Sequence, residues 1–344
     1  MRQSIFAALV LNLVLGLQVA AEFPVRTVYQ FASNDTWLEN LVVRSDGVIL
    51  ATEISPPASL LAFDPTQETP EKQVVATFTN VLGLTGITEG AHNVFYVTGA
   101  NTTSATIRDP PKNATQVWRV DYSGNTTESV ITHVASPTYP TIVDFNGLAA
   151  YNESIILASA SHDNAIAAVD VETGRTWVAF EDDLMSNIDG IKIQDGYIYW
   201  TAGSDFCRAE SYSNFTISTA EVIALGSEDG SSLNFDDFAL SPNGWKTNKT
   251  NSKVHKYAYL ATSINNSIMK ISFDAETGGN NETAIIAGAL DSTEIAEPTG
   301  AAFGRAQGQL NKLYVTTGGG SGMKVDVDGV DTAVGAQLLE TTLT

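Results

Sequence analysis

Four side chains able to do acid, base or metal chemistry, Glu39, Asn146, Asp189 and Asp236, occupy one place in a phrase that recurs along the chain. The phrase sets a polar residue between apolar ones at the start of a strand-like run. Its six copies are Leu38-Glu39-Asn40-Leu41, Leu84-Thr85-Gly86-Ile87, Phe145-Asn146-Gly147-Leu148, Ile188-Asp189-Gly190-Ile191, Phe235-Asp236-Asp237-Phe238 and Pro298-Thr299-Gly300-Ala301. Three carboxylates gathered around one opening raise each other's pKa unless something compensates. A cation is the simplest compensation, and the oxygen donors Glu39, Asn146 and Asp189 suit a hard ion such as Ca²⁺ or Mg²⁺ completed by water. None of the four histidines lies in the column, which argues against a transition-metal centre, although His162 is on a loop of the same face. Capping of strand entries is the competing explanation. It accounts for a polar type but not for acids at matched register.

An ion held there would polarise a carbonyl and lower the pKa of a bound water, as the opening of a lactone requires. Asp189 or Asp236 would then serve as general base.

The elements that must position these residues follow from the spacing. Successive polar positions are 46, 61, 43, 47 and 63 residues apart, in or near the period of four-stranded propeller blades. A second β-rich run follows each phrase, as in Val48-Ile49-Leu50-Ala51-Thr52 and Tyr197-Ile198-Tyr199-Trp200-Thr201; five of the six end in Thr and the other in Ser. Third runs lead into Asp-to-Gly turns, such as Asp170 to Gly174 and Asp274 to Gly278. No helical periodicity of useful length lies outside the first residues. The expectation is an all-β, six-bladed β-propeller of four-stranded antiparallel blades around a central channel, one domain over residues 22–344. One or both of the segments Phe23 to Phe31 and Gly335 to Thr341 are expected to complete the last blade and close the ring. Strand alternation puts the insertion Gly99 to Gln116 on the face where the phrases begin, where it can cover the pocket, and the insertion Ser241 to Lys256 on the opposite face.

Arg2, the apolar run Ile5 to Leu17 and the small residues Val19 to Ala21 predict a signal peptide over residues 1–21 and a place in the secretory pathway. Glycan acceptor triplets begin at Asn34, Asn101, Asn113, Asn125, Asn152, Asn214, Asn248, Asn265 and Asn281, and nine of them suggest a glycosylated surface. Cys207 is the only cysteine, so no intrachain disulfide forms, and it is read as packed and inert. The net charge of −21 repels phosphate backbones and anionic lipid, so nucleic acid and membrane are excluded as partners and a small-molecule substrate is expected.

With Glu39, Asn146-Gly147 and Asp189-Gly190 in place, the chain resembles the senescence marker protein/gluconolactonase family of six-bladed propellers. In that family a Glu, an Asn and an Asp at these places hold a divalent metal. Two departures bear on lactone chemistry rather than on fold: Asn40-Leu41 follows the Glu where Gly-Pro is usual, and Thr85-Gly86 stands where a substrate-contacting Asn is common. The stretches Trp37 to Arg44 and Pro298 to Arg305 look more like a secreted fungal branch that includes hetero-Diels-Alderases of tropolone-sesquiterpenoid biosynthesis. That resemblance implies a pericyclase needing no cofactor, which joins a tropolone quinone methide to a humulene-type alkene. Glu39, Asp189 or Asp236 would move the protons that form the quinone methide, and Asn146 or Thr299 would hydrogen-bond the diene carbonyl. Trp37, Leu38, Leu84, Phe145, Ile188 and Phe235 would wall the pocket, with Thr85 and His162 as further contacts. A metal-dependent lactonase and a non-catalytic binding propeller remain as alternatives.

Overall fold

The computed structural model describes residues 23–124, 128–138, 140, 142–226, 233–243, 245, 254–279 and 281–343. The expected signal peptide and the triplets at Asn125 and Asn248 lie outside the described residues.

Each phrase opens or leads into the first strand of an antiparallel sheet, and six such sheets, five of four strands and that of blade 4 with a fifth, form a six-bladed β-propeller. Their inner strands are Leu38–Val43, Gly83–Glu89, Leu148–Ala150, Ile188–Gln194, Phe238–Leu240 and Pro298–Phe303, which define blades 1 to 6. The β-rich runs that follow the phrases form the second strands, from Ile49–Glu53 in blade 1 to Lys312–Thr317 in blade 6. Blade 6 takes its third strand, Gln337–Thr342, from the end of the chain and its outermost strand, Val25–Gln30, from the beginning. Both segments expected to close the ring therefore do so. Among the described residues the only helical pieces are three 3₁₀ turns, and none is long and apolar enough to cross a membrane.

The alternation of each strand gives it two apolar faces, and each face packs on a neighbouring blade. Six buried clusters result, one in each interface. Between blades 4 and 5, for example, Tyr199, Phe206, Phe238, Leu260 and Phe273 pack together, with the Phe206 and Phe238 rings 5.1 Å apart. Cys207 lies in the cluster between blades 3 and 4, fully buried, and burial pushes its thiol up to about 12.

The recurrent hydroxyl at the end of the second strands has a specific purpose. In blades 1, 2, 4 and 6 the first strand slips register against the second at the phrase, which leaves backbone groups without a ladder partner. Thr52 accepts the Asn40 N–H at 2.9 Å and donates to the Thr85 carbonyl of the next blade at 2.6 Å. Thr201 likewise accepts from Gly190 at 2.9 Å and donates to Asp236 O at 2.7 Å. Ser159 accepts from Gly147 at 2.7 Å and donates to Asp189 O. Thr316 donates to Glu39 O at 2.9 Å, so blade 6 is tied to blade 1. The two remaining steps are made by the Thr85 hydroxyl to Phe145 O at 2.8 Å and by the Asp237 N–H to Thr299 O at 3.0 Å. The phrases are thus linked into a closed circle. This close approach also explains a glycine, since a Cβ on Gly147 would sit 2.9 Å from Asp189 O.

Candidate functional site: an acid-floored cavity at one mouth of the channel

The circle places Glu39, Thr85, Asn146, Asp189 and Asp236 at the floor of a cavity of about 410 Å³. Trp37, Phe145 and His162 also line it. Four of the residues expected at the pocket are elsewhere. Phe235 is buried among the side chains between blades 4 and 5, and Thr299, 1% exposed, donates its hydroxyl to Leu38 O at 2.7 Å. Leu38 and Leu84 are fully buried between blades and do not wall the cavity.

The acids of the floor are held toward their neutral forms. Burial, and then the charge of Asp189, push the Glu39 carboxyl well above its usual range; the Trp37 indole N–H, which donates to Glu39 Oε2 at 2.5 Å, opposes that rise. Asp236 is raised well above its usual range by burial, and next by Asp189 and Glu39. Asp189 keeps part of its surface open to the cavity, yet the protein packed around it and the nearby Asp237 charge bring it to about 7. Its Oδ1 is buried and has no hydrogen-bond partner. Beneath this floor Lys192 enters from the far end of the channel, with its Nζ 2.5 and 2.6 Å from the two oxygens of Asp237. This pair separates the acid-floored cavity from a second one of about 270 Å³ at the other end, where Gln194, Leu240 and Phe303 lie. The described part of the fifth-repeat insertion is at that end, with the Trp245 ring 5.3 Å from Phe303.

The second-repeat insertion lies over the mouth as expected and contributes Thr102, Ser104, Ile107, Arg108 and Pro110 to the cavity wall. It is strapped on both sides. Arg108 O faces His162 Nε2 at 3.2 Å, while Arg108 Nη2 donates to Met323 Sδ at 3.2 Å. His162 Nδ1 in turn faces Asp144 Oδ2 at 2.9 Å. Both ring nitrogens therefore meet acceptors, a geometry that only the imidazolium satisfies fully, and the Asp144 hydrogen bond raises the His162 pKa accordingly. Met323 belongs to an excursion of blade 6 that Glu297 anchors. The Glu297 carboxyl accepts the amides of Gly322 at 3.1 Å and Met323 at 2.8 Å, and burial raises it to about 7.

Glu297, Asp144, Ser161, Arg108 and Asp237 were not among the residues expected from sequence. A signal existed for two of them. Counting back two residues from each polar position gives Trp37, Gly83, Asp144, Asn187, Asn234 and Glu297, and all but Gly83 line the cavity. Apart from Gly83, this second column lies just ahead of the inner strands and adds a second set of side chains to the cavity wall.

For a metal, Glu39, Asn146 and Asp189 share the cavity and Asp189 Oδ1 is a spare acceptor. Among the described residues, however, no three His, Cys, Asp or Glu side chains converge as a metal-ligating group, and Trp37 takes one Glu39 oxygen. Glu39, Asn146 and Asp189 would be the oxygen donors to a hard divalent ion bound there, with one Glu39 oxygen shared with the Trp37 indole. Of the glycan acceptors described, Asn34, Asn101, Asn113, Asn152, Asn214 and Asn281 are exposed and Asn265 is half-buried.

Fold and site together define a six-bladed propeller with an acid-floored, strapped cavity at one mouth. No protein-family profile matches the chain. A Phoma protein named "Putative hetero-Diels-Alderase" is 26% identical over 326 residues, covering 85% of this chain and 86% of that protein. Among solved structures, a luciferin-regenerating enzyme superposes with a TM-score of 0.60 and 12% identity over 93% of this chain and 95% of its own. The PQQ-bound aldose sugar dehydrogenase of Streptomyces coelicolor does so with a TM-score of 0.56 and 14% identity, over 94% and 99%. At such identities these structures speak to the fold alone.

Proposed function

We propose that the protein is an enzyme of the hetero-Diels-Alderase type, acting in the secretory pathway on a tropolone quinone methide and a humulene-type sesquiterpene alkene. The carrying observation is the floor of Glu39, Asp189 and Asp236, buried acids held toward neutrality beneath a partly apolar wall. Neutral carboxyls donate hydrogen bonds, and a donor on the diene carbonyl lowers its empty orbital toward the electron-rich alkene. The same acids serve the preceding dehydration. One protonates the departing hydroxyl of a hydroxymethyl tropolone, a carboxylate takes the ring hydroxyl proton, and water leaves. In the cycloaddition one C–C and one C–O bond then form with no net proton change. Holding two partners in reacting geometry supplies roughly 7 to 11 kcal/mol as effective concentration. A volume of about 410 Å³ lies within the range of small-molecule pockets.

The Phoma relative's name supports this reading. A divalent-metal lactonase is the second reading, favoured by the spare acceptor on Asp189. The test is turnover of hydroxymethyl tropolone with humulene, followed by chiral chromatography, with and without chelator. One enantiomer should form at the same rate in chelator. Glu39→Gln should slow dehydration by about 10²-fold or more yet leave cyclisation of preformed quinone methide within a few-fold. Racemic product at the background rate would reject the pericyclase. Lactone hydrolysis lost in chelator and restored by Ca²⁺ or Mg²⁺ would establish the second reading, and Glu39→Gln and Asp189→Asn that leave ligand affinity unchanged in a protein without turnover would mark a binding propeller.

A further inference from the structure

We infer that the far end of the channel is a second small-molecule site, for a neutral apolar ligand bearing one acceptor oxygen, a ketone or alcohol in chemical class, which takes a hydrogen bond from Lys192. The site shares no lining residue with the acid-floored cavity, so the inference goes beyond the function proposed above and stands independently of it.

Two observations carry it. The first is how the sequence leaves room on the axis. The position three residues after the polar member of each phrase reads Val42, Thr88, Ala149, Lys192, Ala239 and Ala302, and all but Ala149 line the far cavity. Lys192 is the one long side chain among them, and the small ones leave about 270 Å³ unfilled between the inner strands. Ile87, Leu240 and Phe303 add apolar wall, which recognises a hydrocarbon body by area.

The second observation is a donor left over where the axis closes. A lysine ammonium has three N–H donors. Asp237 takes two, with its oxygens 2.5 and 2.6 Å from Nζ, and these are the only hydrogen-bond acceptors that Lys192 meets among the described residues. The Phe238 ring, its centroid 5.5 Å from Nζ, attracts the charge but is too distant to accept the third N–H. The Lys192 side chain is 27% exposed and, of the two cavities, borders only the far one, so a ligand there can reach the remaining donor.

The acceptor has to be neutral. Asp237 already balances the ammonium, and a carboxylate would set a second anion against the one cation in a mainly apolar cavity. Among the described residues the rim offers no spare cation: Arg305 pairs with Glu89 and donates to Val43 O at 3.0 Å. Gln194 is likewise engaged, donating to Ser241 O at 3.0 Å and to Asn243 Oδ1 at 2.8 Å.

Octan-2-one is the probe, and octanoate, a chain of the same length ending in an anion, is the comparison. Titration calorimetry on the full chain at pH 7 should show one octan-2-one bound per protein, with octanoate at least tenfold weaker. Ala302→Leu, which fills the far cavity, should weaken octan-2-one about tenfold or more. The double variant Lys192→Met with Asp237→Asn, which removes donor and counter-charge together, should weaken it about tenfold. Circular dichroism confirms the fold of each, and should the double variant not fold, Ala302→Leu and octanoate decide. Ile107→Phe, on the wall of the acid-floored cavity, should leave the affinity within twofold. Four results overturn the inference: no octan-2-one binding at millimolar concentration, octanoate bound as tightly, a folded double variant with unchanged affinity, or affinity kept in Ala302→Leu and lost in Ile107→Phe.

Discussion

Replacing Asp189 by Asn should stabilise the folded protein at alkaline pH and leave it nearly unchanged in acid. Asp189 moves from 3.8 to about 7 on folding, chiefly through burial. A raised carboxyl pKa means that the folded state holds a proton the unfolded state has released. Stability from this group is therefore complete below about pH 3.8, falls as pH rises, and is lost above about pH 7. At 1.36 kcal/mol per unit the full difference is about 4 kcal/mol, and solvent reaching the side chain from the cavity reduces it to about 2 to 4 kcal/mol. Asn keeps the shape and sheds the charge. Urea unfolding of both proteins at half-unit steps from pH 4 to pH 9 should show curves that coincide near pH 4 and separate steadily to pH 7. The separation should then continue more gently, because Glu39 and Asp236 titrate higher still. A variant less stable by a constant amount at every pH would refute the reasoning, since it would show that Asp189 is held by bonds to its ionised form.

Three further outcomes are expected. Thr316→Val should cost about 1 to 3 kcal/mol in urea unfolding by leaving Glu39 O unpaired, and Thr316→Ser should recover most of it. The Cys207 thiol should resist iodoacetamide at pH 8 in the folded protein and react fully in denaturant, because its pKa is pushed up to about 12 and it is buried. The Arg108 strap should loosen as pH rises through the elevated pKa of His162, with full strength below about pH 6.5. Hydrogen exchange of amides 103–109, corrected for intrinsic rates, should accelerate between pH 6 and pH 9, and His162→Phe should abolish that dependence.

The fold was almost entirely legible in the sequence because a propeller repeats one strand pattern, and six weak phrases at a regular period reinforce one another. The terminal Thr and Ser of the second strands were visible as a pattern; their partners were not, since Thr52, Ser159, Thr201 and Thr316 bond to residues 30 or more positions away in another blade, whereas Thr98 and Thr262 bond within their own. The floor of the cavity was legible for the same reason as the blades. Thr299 and Phe235 show the limit: matched register brings a residue to the ring, but whether its side chain turns to the opening or to the neighbouring blade depends on packing. Asp144 and Glu297 were present as a second column two residues earlier. The cover over the mouth was legible, but its fastenings were hidden because Arg108 meets His162 and Met323 only when blades 2, 3 and 6 share a mouth.

The last blade takes strands from both described ends of the chain, with Val25–Gln30 pairing to Gln337–Thr342. A ribosome delivers the first of these long before the second. Throughout synthesis Val25–Gln30 is therefore an unpaired edge, and the nascent chain can build blades 1 to 5 in turn without completing the circle. Ring closure is thus a late, all-or-none checkpoint: a chain that stops short of Gln337–Thr342 exposes edges at both ends of an open arc, a form that quality control can distinguish from the finished protein.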